Sequence, residues 1–417
     1  MPSASTSEKV LSFEDARHIV EHHAGKVHAS GKELVELLDA VGLVLAEPIF
    51  ADRNLPPFRR ATRDGYAVLS ADLSHLPASL RVIGEIKAGA NSMLNVKSGE
   101  AAAIMTGAPV PAGADAVVMV EYTSRMGDEV EVTRAVAASV NIVPAGSEAK
   151  RGERLLSPGT RLDHAAIAVA ASVGKSHLLV RSKPRVAVLA TGDELVDVDV
   201  PPAPHQIRNS NTYSLAAQIL AAGGEPVLLP IAPDAPERLR ELIIEGFEAD
   251  LLLLAGGVSM GKYDLVEQIL ADFDAEFFFT GAKIQPGKPI VFGQAAGADA
   301  LARDQQKYFF GLPGNPVSTM VTIELFVRPM LAAFAGMPPQ KLVFPRARLK
   351  TEIKVKIGLT RFLPASLSGE FQDAEVELVR WQGSGDIAAR ARANCYVVVA
   401  PDRERIEAGE WVPILLR

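Results

Sequence analysis

The chain has 417 residues, 48% hydrophobic and 22% charged, with a net charge of −7. That length exceeds one ordinary core and predicts roughly two to four domains, and the negative charge argues against wholesale attraction to nucleic acid or an anionic membrane. The one cysteine, Cys395, leaves no intrachain disulfide framework and argues against a cysteine-based metal site.

Residues 1–10 are polar, read as loose, and hold no apolar signal core. The apolar stretches break short of the roughly 20 residues of a membrane span, so we expect a cytoplasmic protein with no membrane and no nucleic-acid partner. Residues 13–23 read as an amphipathic helix, with Ser12 and Asp15 as a capping-box-like start. A short helix near 37–41 and an apolar run over 43–50 follow. Residues 54–144 change to short β-rich runs (80–86, 101–105, 116–121, 129–132) divided by Gly89, Gly99, Gly113 and Gly127. Residues 145–182 read as helical again, with the alanine-rich 163–172 ended by Gly174 and expected to pack with the first helix. Residues 184–336 alternate strand and helix: strands at 185–190, 227–231, 250–255, 290–292 and 308–310, and helices at 212–222, 236–247, 265–273 and 316–334. Residues 340–417 are strand-like, with turns at glycines.

The predicted fold is therefore multidomain α/β and β. A three-layer α/β/α domain with a mostly parallel sheet spans 183–337. A discontinuous helical N-terminal domain (8–53 plus 145–182) carries an inserted β-rich domain (54–144), and an all-β, barrel-like domain covers 340–417.

Four glycine-punctuated turns follow the strands of the α/β region: Thr191-Gly192-Asp193-Glu194-Leu195, Gly256-Gly257-Val258-Ser259-Met260-Gly261, Pro286-Gly287-Lys288-Pro289 and Gly311-Leu312-Pro313-Gly314-Asn315-Pro316. Such turns line the ligand edge of an open parallel sheet, where glycines and helix N-termini present N–H groups to an anion. Carboxylates beside an anion point to a divalent cation between them. Each turn also has an ordinary reading: solvated acids after a strand, Asp264 and Asn315 as helix caps, Lys288 as a solvated loop lysine. A Walker-A loop ending at Lys288 fails, because the spacing is one residue too long and Pro289 replaces the required Ser or Thr. In the β-rich region, Asp64 and Thr106 sit in dense turn sequences and can be turn formers alone. There is no HExxH motif, and Cys395 reads as packed.

Taken in order, these motifs resemble the molybdopterin molybdenumtransferase family (MoeA and the equivalent domain of gephyrin). The resemblance rests on Asp64-Gly65-Tyr66-Ala67, Met105-Thr106-Gly107-Ala108-Pro109-Val110-Pro111, the four turns above, Asn209-Ser210-Asn211 and Val317-Ser318, with Gly383-Ser384-Gly385 and Ala393-Asn394 echoing the last domain. It runs from about residue 10 to the end. It implies molybdate insertion into the dithiolene of adenylylated molybdopterin, with AMP release and Mg2+ assistance. It also implies an elongated homodimer whose site lies between the α/β domain of one subunit and the inserted domain of the other, with a molybdopterin adenylyltransferase and molybdoenzymes as handover partners.

By the same resemblance, Asp64, Glu194, Asp234, Asp264 and Lys288 are catalytic candidates, with Asp64, Glu194 and Asp264 as metal ligands. Substrate binding falls to Thr106, Gly107, Thr191, Gly257, Ser259, Lys283, Pro313, Gly314, Asn315, Pro316 and Ser318. The chain departs from the family pattern at Ala61-Thr62-Arg63, at Glu148 in place of aspartate, at Gln285 in place of lysine and at Cys395 in place of glycine. Two other functions stay open at this level: molybdopterin adenylylation, against which Gly256-Gly257-Val258-Ser259 argues, and a non-catalytic scaffold of the same fold.

Overall fold

The computed structural model describes residues 9–90, 93–257, 265–296 and 306–416. The first helix, α1 (Phe13–Ala24), starts as its sequence requires: Ser12 Oγ accepts from the Asp15 amide at 3.0 Å and donates to the Asp15 carboxylate at 2.8 Å. Its buried stripe of Phe13, Ala16 and Val20 joins the same core as Val188, Leu253 and Phe310 of the central sheet. The expected packing against α2 (His164–Ser172) is not found. That helix, capped by Asp163, buries Ala166 and Ala170 with Leu45, Ile49, Leu178 and Val180 in a separate small core.

Two antiparallel strand pairs build this smaller unit: Lys32–Glu36 with His177–Arg181, and Ile49–Phe50 with Arg154–Leu156. The helix expected near 37–41 is a run of turns, because the preceding residues are drawn into a strand by His177–Arg181. For the same reason only α2 is helical between 145 and 182.

The central sheet runs in the order Glu225–Leu228, Arg185–Ala190, Leu251–Ala255, Gln306–Leu312, Val291–Ala296, Glu276–Phe279. The first four strands are parallel, Val291–Ala296 runs against them, and Glu276–Phe279, antiparallel to that neighbour, runs with the first four again. Leu251 and Leu253 face the core of α3 (Ser210–Ala221), while Leu252 and Leu254 face that of α4 (Pro236–Gly246) and α5 (Leu265–Ala271). Both faces being covered explains why the strand reads as unbroken apolar sequence.

After the last parallel strand the chain enters α6 (Pro316–Thr322), a π-helical turn (Ile323–Val327) and α7 (Arg328–Phe334) without a break. Pro329 has no N–H for the carbonyl of Leu325 four residues back. That carbonyl instead accepts from the guanidinium of Arg17 on α1, which is 6% exposed. The segment Pro316–Phe334 is long and apolar enough to cross a membrane by composition, but two-thirds of it (67%) is buried and forms the core helix of the α/β unit.

The inserted domain is a six-stranded sheet with Gly65–Val68 between Ala116–Met119 and Glu100–Ile104. A Cβ on Gly65 would lie 1.8 Å from the Val118 carbonyl oxygen, so only glycine fits beside Asp64. In the last domain, Thr360–Ser368, Glu375–Leu378, Arg346–Leu349, Trp411–Leu416 and Cys395–Val399 follow one another, and the last pairs back with the first to close a barrel. This domain also holds one short helix, α8 (Ile387–Arg392). Two short pairings tie the units together. Val10–Leu11 pairs with Gly281–Ala282, and Ile284–Gln285 with Thr360 and Arg361 of the barrel.

On α1, His23 stacks on Phe278 with ring centroids 3.8 Å apart, and its Nδ1 lies 3.3 Å from the Tyr308 hydroxyl. Burial, then the cations of Lys26 and His22, hold its pKa down at about 4, against an ordinary 6.5. Between those values the unfolded chain binds the proton and the folded chain does not, so stability is predicted to fall as pH drops from 6.5 toward 4. Denaturant midpoints measured across that window should show a shallower slope for His23→Phe; an unchanged slope would refute the assignment.

Candidate active site

Three strand ends meet at the carboxyl edge of the parallel sheet. The Thr191 amide donates to the Ala255 carbonyl and the Gly256 amide to the Leu312 carbonyl, each at 3.2 Å. Gly256 and Gly257 take φ of +92° and +63°, and a Cβ on Gly257 would lie 2.4 Å from Thr191 Oγ1. The Thr191 hydroxyl is buried and has no hydrogen-bond partner among the described residues. Gly314 sits against Gly256, so Thr191, Gly257 and Gly314 share one floor of backbone.

The 313–316 turn differs from expectation in one respect. Asn315 occupies the N-cap position of α6, but its side chain makes no capping bond. The turn is held instead by Thr319 Oγ1, which donates to the carbonyls of Pro313 at 2.5 Å and Asn315 at 3.0 Å, and by Asn211 Nδ2, which donates to that of Gly314 at 2.7 Å. Pro316 is the first helical residue. Asn209 does cap its helix, α3, by accepting from the Thr212 amide at 3.2 Å.

Beside this turn a cavity of about 430 Å³ opens between the α/β unit and the barrel, lined by Lys288, Asn315, Ser318, Trp381 and Ser384 among others. The Val317 amide donates to the Ser384 carbonyl at 2.9 Å, closing one wall. Lys288 is the one charged side chain among the described lining residues. Gly287 before it has φ +108°, and a Cβ there would lie 2.6 Å from Thr322 Cγ2. Trp381 and Ser384 were not among the predicted site residues. Their place depends on the pairing of Ile284–Gln285 with the barrel, which no local pattern announces. Lys283 is exposed; its amide donates to Leu11 at 2.7 Å and its carbonyl accepts from Thr360 at 2.9 Å, so its backbone joins the N-terminal strand to the barrel.

The acids fall in two places. Asp193 accepts from the Asp234 amide at 3.1 Å. Burial, then the charges of Asp193 and Glu194, hold the Asp234 carboxyl above its ordinary range. In the inserted domain, Asp64 accepts from the amide and hydroxyl of Thr106 at 2.6 and 2.9 Å, which holds its carboxyl below that range. Gly107, at φ +82°, continues that turn. Among the described residues, no hydrogen bond or ion pair joins Asp64 to Glu194, Asp234 or Lys288, and no group of three His, Cys, Asp or Glu side chains converges as a ligand set. Ser259 and Asp264 lie outside the described residues. Of the departures, Glu148 pairs with Arg60 at 2.9 Å, and Cys395 is buried with its thiol pKa pushed up to about 11.

Residues 11–174 match the MoeA N-terminal region (domains I and II), 187–333 a probable molybdopterin binding domain, and 346–416 the MoeA C-terminal region (domain IV). The chain is 33% identical over 392 residues to the molybdopterin molybdenumtransferase of Nostoc sp. (strain PCC 7120), covering 92% of this chain and 88% of that one. It is 31% identical to the molybdopterin molybdenumtransferase of Bacillus subtilis, covering 92% and 89%. The solved molybdopterin biosynthesis MoeA protein of Pyrococcus horikoshii OT3 superposes with a TM-score of 0.77 at 30% identity, covering 98% of this chain and 100% of that one. On the strength of these matches across all its domains, this chain belongs to the molybdopterin molybdenumtransferase family.

Proposed function

We propose that this protein inserts molybdenum from molybdate into adenylylated molybdopterin, releasing AMP and yielding the molybdenum cofactor. The observation that carries this reading is the cavity beside the 313–316 turn, where Lys288, Asn315, Ser318 and Ser384 surround a space of about 430 Å³. An oxyanion needs such a set: one cation, hydroxyl and amide donors, and backbone at a helix start. The glycine floor of Thr191, Gly257 and Gly314 lies next to it and suits the phosphate of an adenylylated substrate. No protein nucleophile is required, because the ligand's own thiolates attack molybdenum. The chain's task is to hold two mutually repelling anions together and to prepare the adenylyl phosphate for cleavage.

The carboxylates fit Mg2+. Their hard oxygens suit it, and the mutual repulsion of Asp193, Glu194 and Asp234 is relieved by a cation. Mg2+ takes one or two carboxylates together with substrate phosphate oxygens rather than an all-protein cage. Glu194 and Asp234, with Asp64 and Asp264, are the residues that would hold it, and when bound it would neutralise charge developing on the phosphate.

We further propose a homodimer in which Asp64 and Thr106 complete the edge of the partner subunit. The reading is supported by the lack, among the described residues, of any hydrogen bond or ion pair between Asp64 and the sheet edge of its own chain. Exposed apolar side chains on the small N-terminal unit also support it, with Leu34 67% and Leu38 76% exposed. A cytoplasmic setting, with a molybdopterin adenylyltransferase supplying substrate and molybdoenzymes receiving product, fits the same chemistry and the single buried thiol.

Purified protein given adenylylated molybdopterin, molybdate and Mg2+ is expected to release AMP and retain molybdenum, and chelation by EDTA should stop both. Absence of AMP release with all three present would reject the reading.

A further inference from the structure

Helix α3 carries two side-chain amides seven residues apart, Asn211 and Gln218, and hence on one face two turns apart. Both reach the same later stretch of chain. Asn211 Nδ2 donates to the Gly314 carbonyl at 2.7 Å, and Gln218 Nε2 donates to the Met320 carbonyl at 3.1 Å and to Glu324 at 3.2 Å. Each leaves its own side-chain carbonyl oxygen buried and without a partner among the described residues. A chain that tolerates two such orphan acceptors keeps these amides for their donors. The helix thus acts as a rail along which the turn and the later part of α6 with its π-helical continuation are fastened at two points. One of them, Gly314, lies in the glycine floor, while Gln218 lies away from it against α6 and α8.

We propose that Asn211 is a positioning residue. Its amide fixes Gly314, and so sets how closely the 313–316 backbone approaches an anionic ligand, while Gln218 fastens α6 without touching the site. That the turn meets the substrate's anion rests on the function proposed above; the tether itself does not. Aspartate at 211 would convert the donor facing Gly314 into an acceptor and add negative charge beside an anion, so Asn211→Asp isolates the donor with almost no change of shape.

The test uses full-length protein and two readouts. Amide hydrogen exchange at Gly314, Asn315 and Val317 is expected to quicken by roughly 10-fold in Asn211→Ala and Asn211→Asp, and to return toward wild type in Asn211→Gln, which keeps the donor. The KM for adenylylated molybdopterin should rise roughly 10-fold in the first two with kcat within about two-fold, equivalent to one lost hydrogen bond. Gln218→Leu should lower the melting temperature but leave KM unchanged. Wild-type exchange at the turn in a folded Asn211→Asp variant would overturn the proposal, as would a KM rise in Gln218→Leu equal to that in Asn211→Ala. Should the wild-type protein fail to turn over, the proposed function falls, and the exchange data still decide the role of Asn211.

Discussion

Lys288→Ala is expected to lower molybdenum insertion by about 10²–10³-fold, the usual loss when one preorganised donor is removed from an oxyanion site. The protein's net charge of −7 opposes any anion, and Lys288 is the one charged side chain among the described residues lining the cavity. Its loop is not free to be replaced by a neighbour. The Lys288 carbonyl accepts from the amides of Ala282 and Ile290, both at 3.0 Å, and Gly287 fits tightly over Thr322. Because the side chain is exposed, the melting temperature should stay within a degree or two of wild type, about what a substitution worth less than 0.5 kcal/mol allows. AMP release and protein-bound molybdenum, assayed together, are the measurement. Activity within two-fold of wild type would remove Lys288 from the site, and Lys288→Arg should restore part of the loss because it keeps the charge.

The second prediction is a rescue. Asp64→Ala and Lys288→Ala are each expected to be nearly inactive as pure homodimers. Co-expressed in equal amounts, they should regain about a quarter of wild-type activity: half of the dimers are mixed, and each mixed dimer carries one intact site of two. Asp64 bonds to Thr106 in the inserted domain and has no hydrogen bond or ion pair to the described residues of the sheet edge in its own chain. A site built within one chain would show no recovery on mixing, and that outcome would sink the shared-site reading.

The α/β unit was the most legible part of the sequence. The runs at 185–190 and 250–255 stand out because strands covered on both faces are apolar without interruption, and Asn209 and Pro236 mark the helix starts at α3 and α4. Where reading failed, tertiary pairing overrode local pattern. A short helix is read near 37–41, yet those residues are turns that follow Lys32–Glu36, a strand because His177–Arg181 lies beside it. The amphipathic stripe of α1 announces a buried face but not which core will bury it. At the site, the glycines of 256–257 and 314 were visible because close backbone approach demands them. Trp381 and Ser384 were not, because the barrel brings them to Lys288 through contacts between distant segments, among them the two-residue pairing with Ile284–Gln285. Asn315 stands at the N-cap position without a side-chain cap bond, and Thr319 instead holds the turn through a hydroxyl that reaches back to its carbonyls.

The long reach of α1 bears on how the chain is made. Arg17 contacts the Leu325 carbonyl across 308 residues of sequence, and Phe13 packs with Phe326 and Phe362. At synthesis rates of roughly 5–20 residues per second, α1 leaves the ribosome on the order of 15–60 s before these partners exist. Through that interval the core that takes Phe13, Ala16 and Val20 is incomplete: Val188, Leu215 and Leu253 emerge first, Phe326 and Phe362 last. These contacts of α1 close late in synthesis, and slowed translation of the α/β region is expected to lower soluble yield more than slowed translation of the barrel.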